Sequence, residues 1–106
     1  MKKIALLTVA LVSLLVFLAA GIAQGDGSKK VDIVNFAFKP GTLTVSKGTK
    51  VEFENESRTT HTATGATFDS KRLGPGKEFA VRFNQKGTFR YHCKIHPEMK
   101  GKIVVQ

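Results

Sequence analysis

Residues 88–99 read TFRYHCKIHPEM, and the first half of this stretch alternates as a β-strand does. Successive side chains of a strand point to opposite faces, so Phe89, Tyr91 and Cys93 share one face. Because this is the less polar of the two faces, we expect Cys93 to point into a core and the neighbouring His92 to point to water. The stretch therefore predicts a β-fold with a buried thiol at the end of a strand.

The second half of the stretch places three types of metal ligand in one short loop, residues 93–99, which we call the ligand loop. They are Cys93, His96 and Met99, in the spacing Cys-x-x-His-x-x-Met. Pro97 stiffens the loop, because its ring fixes its own φ and favours extended backbone at the residue before it. A fourth candidate, His61, follows the polar residues 55–60. Loops cluster at the ends of a β-sandwich, so His61 can meet the other three.

These four candidate ligands favour copper over zinc. A thiolate and two imidazoles in a plane, with a weak thioether on the axis, form the blue-copper electron-transfer set. Zinc prefers four strong ligands from Cys, His or carboxylate. The chain has one Cys, which excludes a disulfide framework, a four-cysteine zinc site and any Cys-x-x-Cys motif. The set predicts a copper protein, and with no position left open for a substrate it argues against an enzyme.

Short runs with a period of two continue on both sides of this stretch. No segment after residue 24 has a helical period, and Gly and Pro residues separate the runs. The predicted strands cover residues 31–38, 42–45, 49–55, 61–67, 78–83, 88–93 and 102–105. About seven short strands predict an all-β protein, either an antiparallel sandwich or a small barrel, with a core of Phe and Val.

The N-terminal residues 1–23 predict an export signal. Lys2 and Lys3 form a positive start, residues 4–20 form an apolar segment, and small residues at 21 and 23 precede a cleavage site before Gln24. Cleavage after Ala20 is a second candidate position. The alternative to a cleaved signal is an uncleaved anchor, because this segment is long enough to span a bilayer. Both alternatives place the rest of the chain in the periplasm or another extracytoplasmic space.

The remaining chain divides into a polar linker, residues 24–30, and one small domain, residues 31–106. The whole sequence holds 17 Lys and Arg against 8 Asp and Glu, a net charge of +9. Cytoplasmic nucleic acid is disfavoured as the partner of this charge, because an exported domain does not meet it. Contact with a membrane is expected only if the N-terminal segment stays uncleaved.

From residue 31 to 106 the sequence resembles the cupredoxins, and in particular the plastocyanin-like and amicyanin-like proteins. The matching runs, with x for other positions, are F-x-F-x-P-x-x-L-x-V-x-x-G at 36–48, V-x-F-x-N at 51–55, H-T at 61–62 and G-x-F-x-Y-H-C-x-x-H-P-x-M-x-G-x-I-x-V at 87–105. The two residues between His96 and Met99 are similar to the short amicyanin loop.

The resemblance implies a Greek-key β-sandwich of seven to eight strands with one copper ion per chain, cycling between Cu(I) and Cu(II). It implies that the ligands are His61, Cys93, His96 and Met99, and that the protein carries single electrons between redox partners. Two positions depart from the family pattern. Thr60 and Thr62 stand where members often carry Pro and Asn around the first ligand His. A Thr62 hydroxyl can still bridge to the ligand loop, as that Asn does.

Two other functions use the same residues. A hydrolase would take Cys93 as nucleophile and His61 or His96 as base, but no motif supplies an orienting group or an oxyanion hole. An exported copper-binding or copper-delivery protein would use the same ligands without redox turnover. A strong thiolate-to-copper absorption band would separate the electron carrier from such a protein.

Basic residues flank the ligand loop and predict a partner with an acidic docking face. Lys94, Lys100 and Lys102 flank the loop, and Lys71 and Arg72 form a separate basic pair. We expect an apolar rim of Ile95, Pro97 and Met99 around the His96 edge. The competing interpretation is a solvated surface that serves solubility alone.

Overall fold

The computed structural model describes residues 27–106, which form eight strands in two four-stranded sheets and no helix. The predicted export segment 1–23 lies outside the described residues, as do residues 24–26. Within residues 27–106 there is no helix able to cross a membrane. The strands are β1 (Ser28–Val34), β2 (Ala37–Lys39), β3 (Thr42–Val45), β4 (Thr49–Asn55), β5 (Thr64–Gly65), β6 (Glu78–Phe83), β7 (Gly87–His92) and β8 (Lys100–Val105).

The two sheets form a β-sandwich, which confirms the all-β prediction. Sheet one has the order β2-β1-β4-β6, and sheet two has the order β3-β8-β7-β5. The expectation of a purely antiparallel arrangement was wrong, because β1 pairs with β4 and β3 pairs with β8 in parallel. Between β1 and β4 the chain passes through β2 and crosses to sheet two for β3. It therefore returns to sheet one running in its original direction.

Two predicted strands differ from the structure. Residues 31–38 form two strands rather than one, joined by a turn at Asn35 and Phe36, where Phe36 has a φ of 66°. In the run 61–67 only Thr64–Gly65 is a strand, because His61 pairs with the loop residue Leu73 instead of a long neighbouring strand.

The predicted runs 42–45, 49–55 and 78–83 are confirmed as strands. The first and last strands start earlier than expected, at Ser28 and Lys100. Strand β7 covers Gly87–His92, one residue before the predicted run at each end.

Phe53 lies at the centre of the core between the sheets. Its ring centroid is 5.8 Å from that of Phe68, 6.3 Å from that of Phe79 and 5.2 Å from that of Tyr91. A fully buried apolar side chain of this kind stabilises a fold by about 1.5–3 kcal/mol. The same buried cluster continues to Cys93 and so links the sandwich to the ligand loop.

Candidate metal centre

Three predicted ligand residues converge at one end of the sandwich. The Sγ atom of Cys93 lies 3.8 Å from Nδ1 of His61 and 3.7 Å from Nδ1 of His96. Their ligand atoms all lie within 4.8 Å of one another. Cys93 and His61 are fully buried, whereas His96 is half-buried. As predicted from the strand alternation, Cys93 faces inward and His92 is exposed.

The ligand loop is closed by its own backbone. Cys93 N–H donates to the carbonyl of Met99 over 3.1 Å, and Met99 N–H donates to the carbonyl of His96 over 2.9 Å. These two bonds hold Cys93, His96 and Met99 together in a single tight turn between β7 and β8. Met99 is only 2% exposed and belongs to the same buried cluster as Cys93.

A buried asparagine organises the loop that carries His61. The Asn55 amide donates to the carbonyls of Thr59 and Leu73, both over 2.8 Å, and its Oδ1 accepts from the backbone and the hydroxyl of Ser57. Leu73 in turn pairs with His61 through two backbone hydrogen bonds. Asn55 is fully buried with all its hydrogen-bonding capacity used, so it fixes the backbone that presents His61.

The far side of the His61 ring determines its tautomer. The Thr59 hydroxyl donates to Oδ1 of Asn35 over 3.2 Å, so its oxygen is left to accept from Nε2 of His61, 2.9 Å away. The proton is thereby placed on Nε2, and the lone pair of Nδ1 points toward Cys93 Sγ. Burial lowers the pKa of His61, and the nearby His96 lowers it further. A neutral imidazole of this kind is ready to bind a metal.

The sulfur also receives a hydrogen bond from the neighbouring loop. Thr62 N–H points to Sγ of Cys93 over 3.4 Å, and the Thr62 hydroxyl accepts from Lys94 N–H over 2.9 Å. The predicted bridge from Thr62 to the ligand loop is therefore present. Thr62 joins the His61 loop to the residue that follows Cys93.

The half-buried His96 opens onto an apolar surface. Phe36 packs edge-on against the His96 ring with centroids 5.0 Å apart. Phe36 is 56% exposed and Ile95 is 37% exposed, and these are the large exposed hydrophobic residues of the described chain. The expected rim of Ile95, Pro97 and Met99 was wrong for Met99, which is buried. Phe36 takes its place in that rim.

Sequence analysis missed Asn35, Phe36 and Thr59 as parts of the site. One signal for the first two was present. The inward residues Val31 and Ile33 have odd numbers, whereas the next inward residue, Phe38, has an even number. Such a break in the period of two marks a turn, and the turn carries Asn35 and Phe36 to the ligands. No local pattern marked Thr59.

Comparison with known proteins shows the family to which this chain is similar. The family model of the Cupredoxin-like domain matches residues 6–105. Amicyanin from Paracoccus denitrificans is 32% identical over 97 residues, covering 85% of this chain and 72% of its own. Plastocyanin from Rumex obtusifolius is 31% identical over 87 residues, covering 66% of this chain and 88% of its own. The chain belongs to the cupredoxin-like family.

A solved structure extends the comparison to the fold. The purple cupredoxin from Nitrosopumilus maritimus superimposes with a TM-score of 0.71 at 23% identity, covering 74% of this chain and 99% of that one. At this identity the likeness concerns the fold alone. It supports the arrangement of the two sheets described above.

Proposed function

We propose that the protein is an exported one-electron carrier that holds one copper ion between His61, Cys93, His96 and Met99. The observation that carries this proposal is the position of Cys93 Sγ, buried and 3.7–3.8 Å from two imidazole Nδ1 atoms. This donor set suits copper, because a thiolate and two imidazoles are its strong ligands in electron-transfer sites and a thioether is its weak one. Bound copper would supply the Cu(I)/Cu(II) couple.

The surrounding residues keep the ligands in one arrangement. Thr59 orients His61, Thr62 donates to the Cys93 sulfur, and two backbone bonds close the ligand loop. Ligands that are fixed in this way need little movement when the charge at the site changes. The full burial of Cys93 also argues against the hydrolase alternative, because a nucleophile must reach its substrate.

The absorption spectrum of the copper-loaded domain tests the proposal. A strong thiolate-to-copper charge-transfer band in the visible range supports it. A pale complex would overturn it and favour the copper-binding or copper-delivery alternative, which uses the same residues without redox turnover.

The route for the electron runs through His96, because this ring reaches the surface while Cys93 and His61 are buried. Phe36 and Ile95 form an apolar border around it, which allows a partner to approach closely and leave quickly. We propose that the partner is a redox protein with an acidic docking face. Lys94 already pairs with Asp69 over 2.8 Å, so steering falls mainly to other residues.

A basic cleft beside this surface favours the acidic partner. The cleft has a volume of about 220 Å³ and is lined by Ile95, Lys71 and Arg72, together with Thr62, Asp69 and Lys94. Lys71 is largely exposed, with 83% of its side chain accessible, and its own ion pair with Asp69 is longer than that of Lys94, at 3.8 Å. A carboxylate on the partner could therefore pair with Lys71 or Arg72 while the partner covers Ile95.

Salt dependence of electron transfer tests this docking. We expect the second-order rate with the native partner to fall steeply from 0.01 M to 0.15 M salt, because the Debye length shrinks from about 30 Å to about 8 Å. The double variant Lys71→Ala with Arg72→Ala should transfer more slowly at low salt and depend less on salt. The control, Lys47→Ala with Lys86→Ala, removes the same charge at the other end of the strands. A rate that stays flat or rises with salt would contradict the acidic partner.

Export is the remaining part of the proposal and rests on the sequence of residues 1–23. We expect the mature protein to begin at Gln24. The intact mass of the protein recovered from the extracytoplasmic fraction measures this directly. A mass that retains residues 1–23 would instead indicate a membrane anchor, with the domain tethered through the residues that precede β1 at Ser28.

A further inference from the structure

Asp69 collects hydrogen bonds from three directions beside the candidate metal centre. Its Oδ1 accepts from the Thr64 hydroxyl over 3.1 Å and from Lys71 N–H over 2.8 Å, and its Oδ2 accepts from Nζ of Lys94 over 2.8 Å. The Lys94 ammonium and the Lys71 amide hold the pKa of Asp69 well below its usual range. Asp69 is therefore ionised and acts only as an acceptor.

An acceptor at this end fixes the direction of a chain of hydroxyl groups. The Thr64 hydroxyl must donate to Asp69, so its oxygen accepts from the Thr62 hydroxyl 2.9 Å away. The Thr62 oxygen then accepts Lys94 N–H, over 2.9 Å. Each hydroxyl has one hydrogen, so reversing any link would leave two oxygens facing each other without a proton between them.

This chain of two hydroxyl groups, the Thr64–Thr62 relay, ends at Lys94, the residue next to Cys93. Thr62 binds the backbone of Lys94, and Asp69 binds its side chain. Together with the relay, these two contacts form a closed ring. Thr62 also donates its own N–H to Cys93 Sγ. The position of Thr62 therefore determines both the backbone at the start of the ligand loop and the hydrogen bond to the sulfur.

We propose that Asp69 is a positioning residue that orders the Thr64–Thr62 relay and thereby holds the Thr62 N–H against the Cys93 sulfur. Its effect on the loop stands on the contacts alone, whereas its effect on the reduction potential rests on the proposed function. Sequence analysis did not mark Asp69, which lies 24 residues before Cys93 in the chain.

Charge and positioning shift the reduction potential in opposite directions. Removing a nearby negative charge favours Cu(I) and raises the potential. Loosening a hydrogen bond to the thiolate leaves more charge on the sulfur, which favours Cu(II) and lowers the potential. Two substitutions of one residue can therefore separate the two effects.

The experiment compares Asp69→Asn, Asp69→Ala and Thr64→Val. Asp69→Asn removes the charge but keeps an oxygen that can accept from Thr64, whereas Asp69→Ala removes both. Thr64→Val keeps the charge and breaks the relay. The readouts are the reduction potential and the protection of Lys94 N–H from hydrogen exchange, measured by NMR on the reduced, copper-loaded protein.

We expect Lys94 N–H to lose protection by about fivefold in Asp69→Ala and Thr64→Val, since the net stabilisation by one neutral hydrogen bond corresponds to about this factor. In Asp69→Asn the protection should stay at the native level. The potential should rise in Asp69→Asn, fall in Thr64→Val, and be lower in Asp69→Ala than in Asp69→Asn. Glu52→Gln, a control on the outer face of sheet one, removes the same charge and should leave the protection unchanged.

Equal protection and equal potential in the two Asp69 variants would overturn the proposal and leave Asp69 as a charge alone. Protection at the native level in Thr64→Val would overturn it as well, and this variant serves even if Asp69→Ala fails to fold. If copper does not bind, the exchange rates of the metal-free protein still test the relay. Failure of the proposed function is thereby distinguishable from failure of this inference.

Discussion

Replacing Cys93 by Ser is expected to abolish the intense visible absorption of the copper-loaded protein. Thiolate is the group that supplies the charge-transfer band, and a serine oxygen does not replace it. Copper affinity should fall as well, because the site then keeps only two strong ligands. The measurement is the visible spectrum of each protein, titrated with cupric ion under the same conditions.

The fold should survive this substitution, which makes the loss of colour specific. Serine is slightly smaller than cysteine, and its hydroxyl can still accept from Thr62 N–H in place of the sulfur. His92→Ala is a matched control, since it changes the exposed neighbour on the opposite face of β7. His92→Ala should keep the band. A Cys93→Ser protein with the native band would remove Cys93 from the metal.

The local pattern of β7 predicted its strand, the inward direction of Cys93 and the outward direction of His92, because a period of two is a local property. The pairing of strands was harder to predict from the sequence. The parallel pairs β1–β4 and β3–β8 depend on where the chain crosses between sheets, which no single run of residues encodes. In the sequence, only a break in the period of two marks the turn at Asn35 and Phe36.

The candidate site shows the same division between local and long-range information. The spacing in residues 93–99 indicated one ligand loop, and the clustering of loops in a sandwich brought His61 to it. Apart from the Thr62 bridge, the supporting contacts were not predictable, because Asn35 reaches Thr59 across 24 residues and Asp69 reaches Lys94 across 25. Such contacts depend on the geometry of turns. The burial of Met99 likewise follows from the closed backbone of its loop.

Replacing Met99 by Gln is expected to retain copper and lower the reduction potential by more than about 60 mV, a tenfold change in the relative affinity for Cu(I) and Cu(II). In the proposed site Met99 is the weak axial ligand. An amide oxygen is a harder donor than a thioether and favours the more highly charged ion. The three strong ligands are unchanged, so a visible band should remain. Voltammetry of the loaded protein measures the shift.

Met99→Leu is the matched control, because it removes the thioether and keeps the apolar volume. A methionine-to-leucine exchange in a core usually costs less than about 1.5 kcal/mol, so this variant should fold. With no axial donor, Cu(II) loses more stabilisation than Cu(I), and the potential should rise rather than fall. The opposite signs in the two variants distinguish an axial ligand from a packing residue, for which the nature of the donor atom would not matter. Equal potentials in Met99→Gln, Met99→Leu and the native protein would show that Met99 serves the core alone and that His61, Cys93 and His96 hold the metal without it.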